Sequence, residues 1–250
     1  NLGVILIDLG NLQDAERSTR KAIEIKPDFA EAHSNLGNIL KDLGKLKEAE
    51  LSYRKAIEIK PDYAEAHYNL GSILRDLGKL QEGELSYRKA IEINPDYAEA
   101  HSNLGNTLSE LGKREEAMKS WEKAVKLKPS NETTIISLSL NLCFEKKYDL
   151  ALQYLSLNKS NSCQILYLGC LLSLDRETEF HEKFQELSKK KVCNANIGGI
   201  VEHANIIYEK KYNSPFCNKA ADYIFWDKIN KDDLSTTDLN QLISYILTQR

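Results

Sequence analysis

Long apolar runs are missing from this sequence: no segment approaches the ~18 consecutive apolar residues of a membrane span, so no membrane-embedded helix is expected. An excess of positive charge is missing too. Lys and Arg total 34 against 37 Asp and Glu, a formal net charge of −3, which gives no basic footprint for nucleic acid. Paired cysteines at metal or redox spacing are absent. The five cysteines, Cys143, Cys163, Cys170, Cys193 and Cys217, form no CxxC, and their odd number argues against a complete disulfide framework. They read as reduced, mostly buried thiols of a cytoplasmic protein, because free cysteine packs as a small hydrophobe. The chain opens on Asn1 rather than Met, with no basic-then-apolar leader, and reads as a fragment or processed piece. Without a secretory signal, the glycosylation patterns at Asn131 and Asn158 read as chance matches.

Catalytic patterns are equally scarce. There is no phosphate-cradling glycine loop, no HExxH and no G-x-S-x-G. Of five histidines, three recur inside repeats, which leaves His181 and His203 for acid–base work. His181-Glu182 has no second histidine at helical spacing and reads as a solvated helix pair. The expectation is a chain with no catalytic site, no cofactor and no metal.

What the sequence does have is a repeat. Residues 35–61, NLGNILKDLGKLKEAELSYRKAIEIKP, recur almost unchanged at 69–95, and drifted copies occupy 1–27 and 103–129. The copies begin at Asn1, Asn35, Asn69 and Asn103, a constant step of 34, and a fixed period of this size signals a stacked helical array. Each copy reads as two helices. Leu36, Leu40 and Leu43 form an apolar stripe at helical spacing on helix A, and Gly44 stops it, glycine being the residue that accepts a left-handed backbone. Leu46, Ala49, Tyr53, Ala56 and Ile57 form the buried side of helix B, which Pro61 ends. Asp62…Glu65, like Asp28…Glu31 and Asp96…Glu99, reads as a capping box opening the next helix A. Gly37, Gly71, Gly105, Ala49 and Ala117 mark close approaches, and Gly83 replaces the alanine in one copy. Glu50, Arg54 and Glu58 read as a ladder of exposed pairs on a solvated outer face.

The pattern N-L-G-x7-G-x4-A-x3-Y-x2-A-x4-P over 34 residues resembles the tetratricopeptide repeat, in three joined copies and a fourth lacking its first turn. The resemblance implies an all-α fold: a right-handed superhelical solenoid of antiparallel helix pairs with a concave groove. One departure stands out, since the family's aromatic near the start of helix A is His33, His67 and His101 here. Stacked helices lie ~8–10 Å apart and metal ligands must sit within ~2.0–2.1 Å of one ion. These histidines therefore cannot converge and read as packing residues at the repeat interfaces.

Three segments are expected: a regular array over 1–131, degenerate helix pairs over 132–190, and a helical cap or linker over 191–250. In the second, Lys147–Ala151 reads as the start of a helix B, Tyr167–Leu174 as a helix A, and Glu177–Lys189 as its partner. In the third, helices are expected over 200–210 and to about Leu247, with Tyr223, Phe225 and Trp226 covering the end of the solenoid. The segment Tyr212-Asn-Ser-Pro-Phe-Cys217 with Asp222-Tyr-Ile224 resembles the linker that follows repeats in bacterial proteins ending in a 2-oxoglutarate/iron(II) oxygenase domain. Such a domain needs an HxD…H site, which this chain lacks, so it would lie beyond Arg250.

The functional expectation is a scaffold for protein–protein interaction, with an extended peptide or partner helix in the groove. The alternative is the substrate-recruiting arm of a larger enzyme. Self-association through the open N-terminal end is a third arrangement, and the oligomeric state is left open. At 100° per residue, Asn35, Asn38 and Asp42 share one side of helix A. Asn69, Ser72 and Asp76, then Asn103, Asn106 and Glu110, repeat that polar row, and Lys41, Tyr68 and Arg75 lie beside it. The row resembles the asparagine ladder with which O-GlcNAc transferase repeats hold peptide backbone; a purely structural role for the asparagines is the other reading. The clamp by which some family members hold acidic chaperone C-termini is not expected. Its lysine places carry Ser34 or Tyr68, and Glu65 and Glu99.

Overall fold

The computed structural model of the chain describes residues 11–189, which are helical throughout, with eleven helices and no strand among them. They fall into two compact units, the first ending at Lys128 and the second beginning at Pro129. The expected helices and aromatic cluster of 191–250, and the oxygenase-like linker motif, lie outside the described residues.

The first unit contains α1 (Leu12–Ile25), α2 (Ala30–Asp42), α3 (Leu46–Ile59), α4 (Ala64–Asp76), α5 (Leu80–Ile93), α6 (Ala98–Glu110) and α7 (Arg114–Leu127). The even-numbered members are the A helices of the repeat and the odd-numbered ones the B helices. Between α2 and α3 the chain reverses in three residues. Gly44 takes φ +75°, its N–H donates to Lys41 O at 2.9 Å, and Lys45 N–H donates to Leu40 O at 2.8 Å. This crossed pair satisfies the last helical carbonyls, and the left-handed residue at its centre favours glycine. At the other end, Lys60 leaves the helix with φ −133° and ψ 87°, the extended backbone that a following proline imposes.

The capping boxes do not form. The residues preceding the A helices are Phe29, Tyr63 and Tyr97, and no side chain caps α2, α4 or α6. The Pro-Asp pairs sit in a turn in which Phe29, Tyr63 and Tyr97 each donate N–H to the last residue of the preceding helix region at 3.2 Å. The glutamates do other work: Glu31 pairs with Lys60 at 3.4 Å and Glu99 with Lys128 at 2.8 Å, each tying a helix A to the end of the next helix B. The repeated histidines close the same corner, with Nε2 of His33, His67 and His101 each 2.9 Å from the carbonyl of Pro27, Pro61 and Pro95.

Leu36, Leu40, Ala49, Tyr53, Leu70, Ile73 and Leu74 form one buried cluster, and Ile23, Leu46, Ile57 and Leu77 pack on it. The outer face is less solvated than its sequence suggested. Glu50 and Glu84 are only 9% and 7% exposed. Glu50 takes Arg54 at 2.9 Å from its own helix and Lys79 at 2.8 Å from the next repeat, while Arg54 reaches on to Glu82 at 2.8 Å. Glu84, Arg88, Lys113 and Glu116 repeat the arrangement. The ladder therefore runs between repeats as well as along each helix, and bridging two helices is what buries the carboxylates.

The second unit contains α8 (Glu132–Phe144), α9 (Tyr148–Leu155), α10 (Asn161–Ser173) and α11 (Glu177–Lys189). The crossed turn persists here without glycine: Lys146 and Asp175 take φ 59° and 57°. Asn131 caps α8 by accepting from Thr134 N–H at 3.2 Å, and Asn158 donates to Ser130 O at 3.1 Å. Both sequon asparagines thus have structural partners. Cys143, Cys163 and Cys170 are free and buried, with the sulfurs of Cys143 and Cys170 3.3 Å apart.

Candidate functional site

The expected polar row lies on α2, α4 and α6, and Asn35, Asn38, Asn69, Ser72, Asn103 and Asn106 are all half-buried rather than covered. Close packing places them there. A Cβ on Gly37 would lie 2.6 Å from the Tyr53 ring, and one on Gly105 would lie 2.5 Å from Trp121. Only glycine lets each B-helix aromatic cross beneath its A helix, and crossing there brings the polar end of the ring to the row. Tyr53 Oη donates to Asn38 Oδ1 at 2.6 Å, Tyr87 Oη to Ser72 Oγ at 3.1 Å, and Trp121 Nε1 to Asn106 Oδ1 at 2.9 Å. Burial raises the Tyr53 hydroxyl well above its ordinary range and pushes Tyr87 up to about 12, so both remain protonated donors at neutral pH.

The row is also tied from repeat to repeat. Asn69 Nδ2 donates to Asn38 Oδ1 at 3.3 Å, and Asn103 Nδ2 donates to Tyr68 Oη at 3.1 Å. Each bond uses a single N–H of an amide that has two, together with a carbonyl acceptor. Among the described residues the Asn35 side chain has no hydrogen-bond partner.

Models of the tetratricopeptide repeat match residues 3–44, 37–78 and 71–112, and a further one matches 98–131. Together they span 3–131, just over half of the 250 residues. The chain belongs to the tetratricopeptide repeat (TPR) family. No curated protein gives a match. Among solved structures, MamA is 27% identical, with 62% of this chain and 90% of that one aligned at a TM-score of 0.57. PilF of Pseudomonas aeruginosa is 22% identical over 84% of this chain and 95% of its own, at 0.65. YrrB, a TPR protein with an unusual peptide-binding site, is 20% identical over 67% and 89%, at 0.57. At these last two identities the likeness speaks for the solenoid fold alone.

Within this TPR array the middle repeat departs from its neighbours. Ser34 and Ser102 are buried, whereas the matching Tyr68 is half-buried, its ring centroid 4.9 Å from Tyr97 and 5.9 Å from Tyr87. Burial, then the charge of Glu99, raises the Tyr68 hydroxyl above its ordinary value, while Asn103 and Ser72 beside it pull the other way. The charged members stand further out. Lys41, Asp42, Asp76 and Glu110 are exposed, and half-buried Arg75 has its Nε 4.0 Å from Glu110.

The hydrogen bonds from Tyr53, Tyr87 and Trp121 to this row were not expected from the sequence, which placed Tyr53 only on the buried side of helix B. Their signal was there: the position carries Tyr53, Tyr87 and Trp121, each with a polar hydrogen and none of them phenylalanine. Among the described residues no group of three or more potential metal ligands comes together, and no helix is long and apolar enough to cross a membrane.

Proposed function

We propose that the A-helix face of α2, α4 and α6 binds an extended peptide segment of a partner protein, and that the chain is a scaffold with no chemistry of its own. The observation that carries this reading is the half-buried amide row, repeated at a step of 34 and only partly satisfied from within. A peptide main chain can meet such a row whatever its sequence, because every residue offers one donor and one acceptor. Tyr68, Arg75 and Lys41 would add side-chain preference at the middle of the face. The peptide would not enter as a free acidic C-terminus, since Glu65 and Glu99 occupy lysine places of the family's carboxylate clamp and would repel it.

The test begins with a random peptide display library panned against the whole chain, followed by titration of a selected, end-capped peptide. Replacing Asn35, Asn69 and Asn103 together with Ala should weaken that peptide about tenfold or more, each lost hydrogen bond contributing ~0.5–1.5 kcal/mol. Circular dichroism should show the helices intact. Failure to select any peptide, or unchanged affinity in the triple variant, would refute the proposal.

A further inference from the structure

We infer that neighbouring aromatics sort the amides of the A-helix face by polarity: Tyr53 and Trp121 behind the face leave Asn38 and Asn106 presenting N–H groups to a bound chain, and Tyr68 beside it leaves Asn103 presenting a carbonyl oxygen. This inference rests on the peptide-binding reading and narrows it, since the ligand must turn a main-chain carbonyl toward Asn106.

The sorting follows from what lies behind each amide. An indole N–H can only donate. With Trp121 Nε1 2.9 Å from Asn106, the amide must turn its carbonyl inward, and the rotated alternative would set two donors against each other. The Asn106 NH2 group is therefore directed away from α7, and the residue is half-buried rather than covered. Asn38 is held the same way by two donors at once. Tyr53 Oη and Asn69 Nδ2 both point at its Oδ1, at 2.6 and 3.3 Å. A carbonyl oxygen has two lone pairs, so only the N–H groups of Asn38 remain for a ligand.

Asn103 is turned the opposite way in the structure, against a Tyr68 hydroxyl that, unlike the Trp121 indole, is able both to accept and to donate. Its Nδ2 donates to Tyr68 Oη at 3.1 Å, and among the described residues its Oδ1 has no partner. Asn103 and Asn106 stand one turn apart on α6, about 4.5 Å along the axis. An extended peptide residue offers its N–H and C=O on the same edge, so a single ligand residue can meet the Asn103 acceptor and the Asn106 donor together. The face then selects the direction and register of the bound chain, which a row of freely turning amides would not do.

The test compares Asn106→Asp with Asn103→Asp in the whole chain. Both add the same charge to the same helix, so general repulsion cancels in the comparison. At 106 the inner oxygen still accepts from Trp121 while the outer group becomes an acceptor facing a carbonyl. At 103 the outward acceptor is kept and the Tyr68 hydroxyl can turn to donate. For the end-capped peptide selected from the display library, Asn106→Asp should lose about tenfold or more and Asn103→Asp less than about threefold. Equal losses, or the reverse order, would overturn the sorting. A second measurement needs no peptide. The Trp121 indole proton should keep its hydrogen-bonded NMR shift in Asn106→Asp and move upfield in Asn106→Ala; an unmoved resonance in Asn106→Ala would overturn the proposal too. If panning selects no peptide, the binding reading fails while the indole shift still decides whether Trp121 holds the Asn106 carbonyl inward.

Discussion

Gly83 and Gly71 touch across one helix pair, and replacing each with alanine should change stability in opposite directions. Gly83 lies on α5 where α3 and α7 carry Ala49 and Ala117, both fully buried. A Cβ on Gly83 would approach Gly71 O at 3.2 Å, Arg75 N at 3.5 Å and Leu74 Cβ at 3.7 Å. The first contact is tight, but the alanines of the neighbouring repeats occupy the same place, so a shift of a few tenths of an ångström suffices. Gly83 is the fourth residue of its helix, so removing it gains at most ~0.8–1 kcal/mol, and burying one methyl ~0.8 kcal/mol more. With the tight contact subtracted, Gly83→Ala should stabilise by about 1 kcal/mol. Gly71→Ala meets something harder. Its Cβ would stand 2.8 Å from Cε1 of Tyr87, a fully buried ring with no room to retreat. Overpacking of this kind costs ~1–3 kcal/mol and outweighs the propensity gain. With urea m-values of ~1–3 kcal/mol/M, denaturation followed by far-ultraviolet circular dichroism should move the midpoint by several tenths molar, upward for Gly83→Ala and downward for Gly71→Ala. A lowered midpoint for Gly83→Ala, or a raised one for Gly71→Ala, would refute the packing argument.

Acid should destabilise the array. Lys45 and Arg20 hold Glu16 below the usual carboxylate range, and Lys79 and Arg54 do the same for Glu50; burial pushes Glu84 up, but Lys113 and Arg88 outweigh it. Carboxyls depressed on folding stabilise fully above their unfolded pKa and lose that contribution as pH falls through the folded values. Urea midpoints should therefore hold from neutral pH to about 4.5 and fall below it; a midpoint that rises on acidification contradicts this. Glu84→Gln should lose about 1 kcal/mol, because the carboxylate is buried but its cationic partners are half in water, and added salt should shrink the difference. In the second unit, burial raises the Cys163 thiol, and contact with Cys143, then burial, raises Cys170. Peptide mapping after iodoacetamide should find Cys143, Cys163 and Cys170 modified only once the chain is unfolded; rapid labelling of the native protein would count against their burial.

Most of the first unit was legible because one constraint acts on each position three times. A residue that recurs at a step of 34 is answering a repeated demand: glycine at 44, 78 and 112 for a left-handed turn, proline at 61 and 95 to end helix B. Expectations failed where one residue type serves two purposes. Asp and Glu three apart suit a capping box, but here a proline immediately before the aspartate holds it in the turn, and the glutamate answers a lysine 29 positions later. The proline is the one local sign that separates the two uses. Glu50 looked solvated because its i+4 partner is visible in the sequence, whereas Lys79, which buries it, becomes a neighbour only when repeats stack. In the second unit Lys146 and Asp175 hold the place of the turn glycine, so the marker that gave the period is gone although the turn remains. A left-handed backbone costs a non-glycine residue roughly 1–2 kcal/mol, and the bonds from Lys147 N to Leu142 O at 2.8 Å and Arg176 N to Leu171 O at 3.0 Å hold it there. Lys146→Gly should therefore raise the stability of this unit by about 1 kcal/mol, read as slower amide exchange in α8 and α9. Exchange that is unchanged or faster would mean that the turn is not the strained link its backbone angles imply.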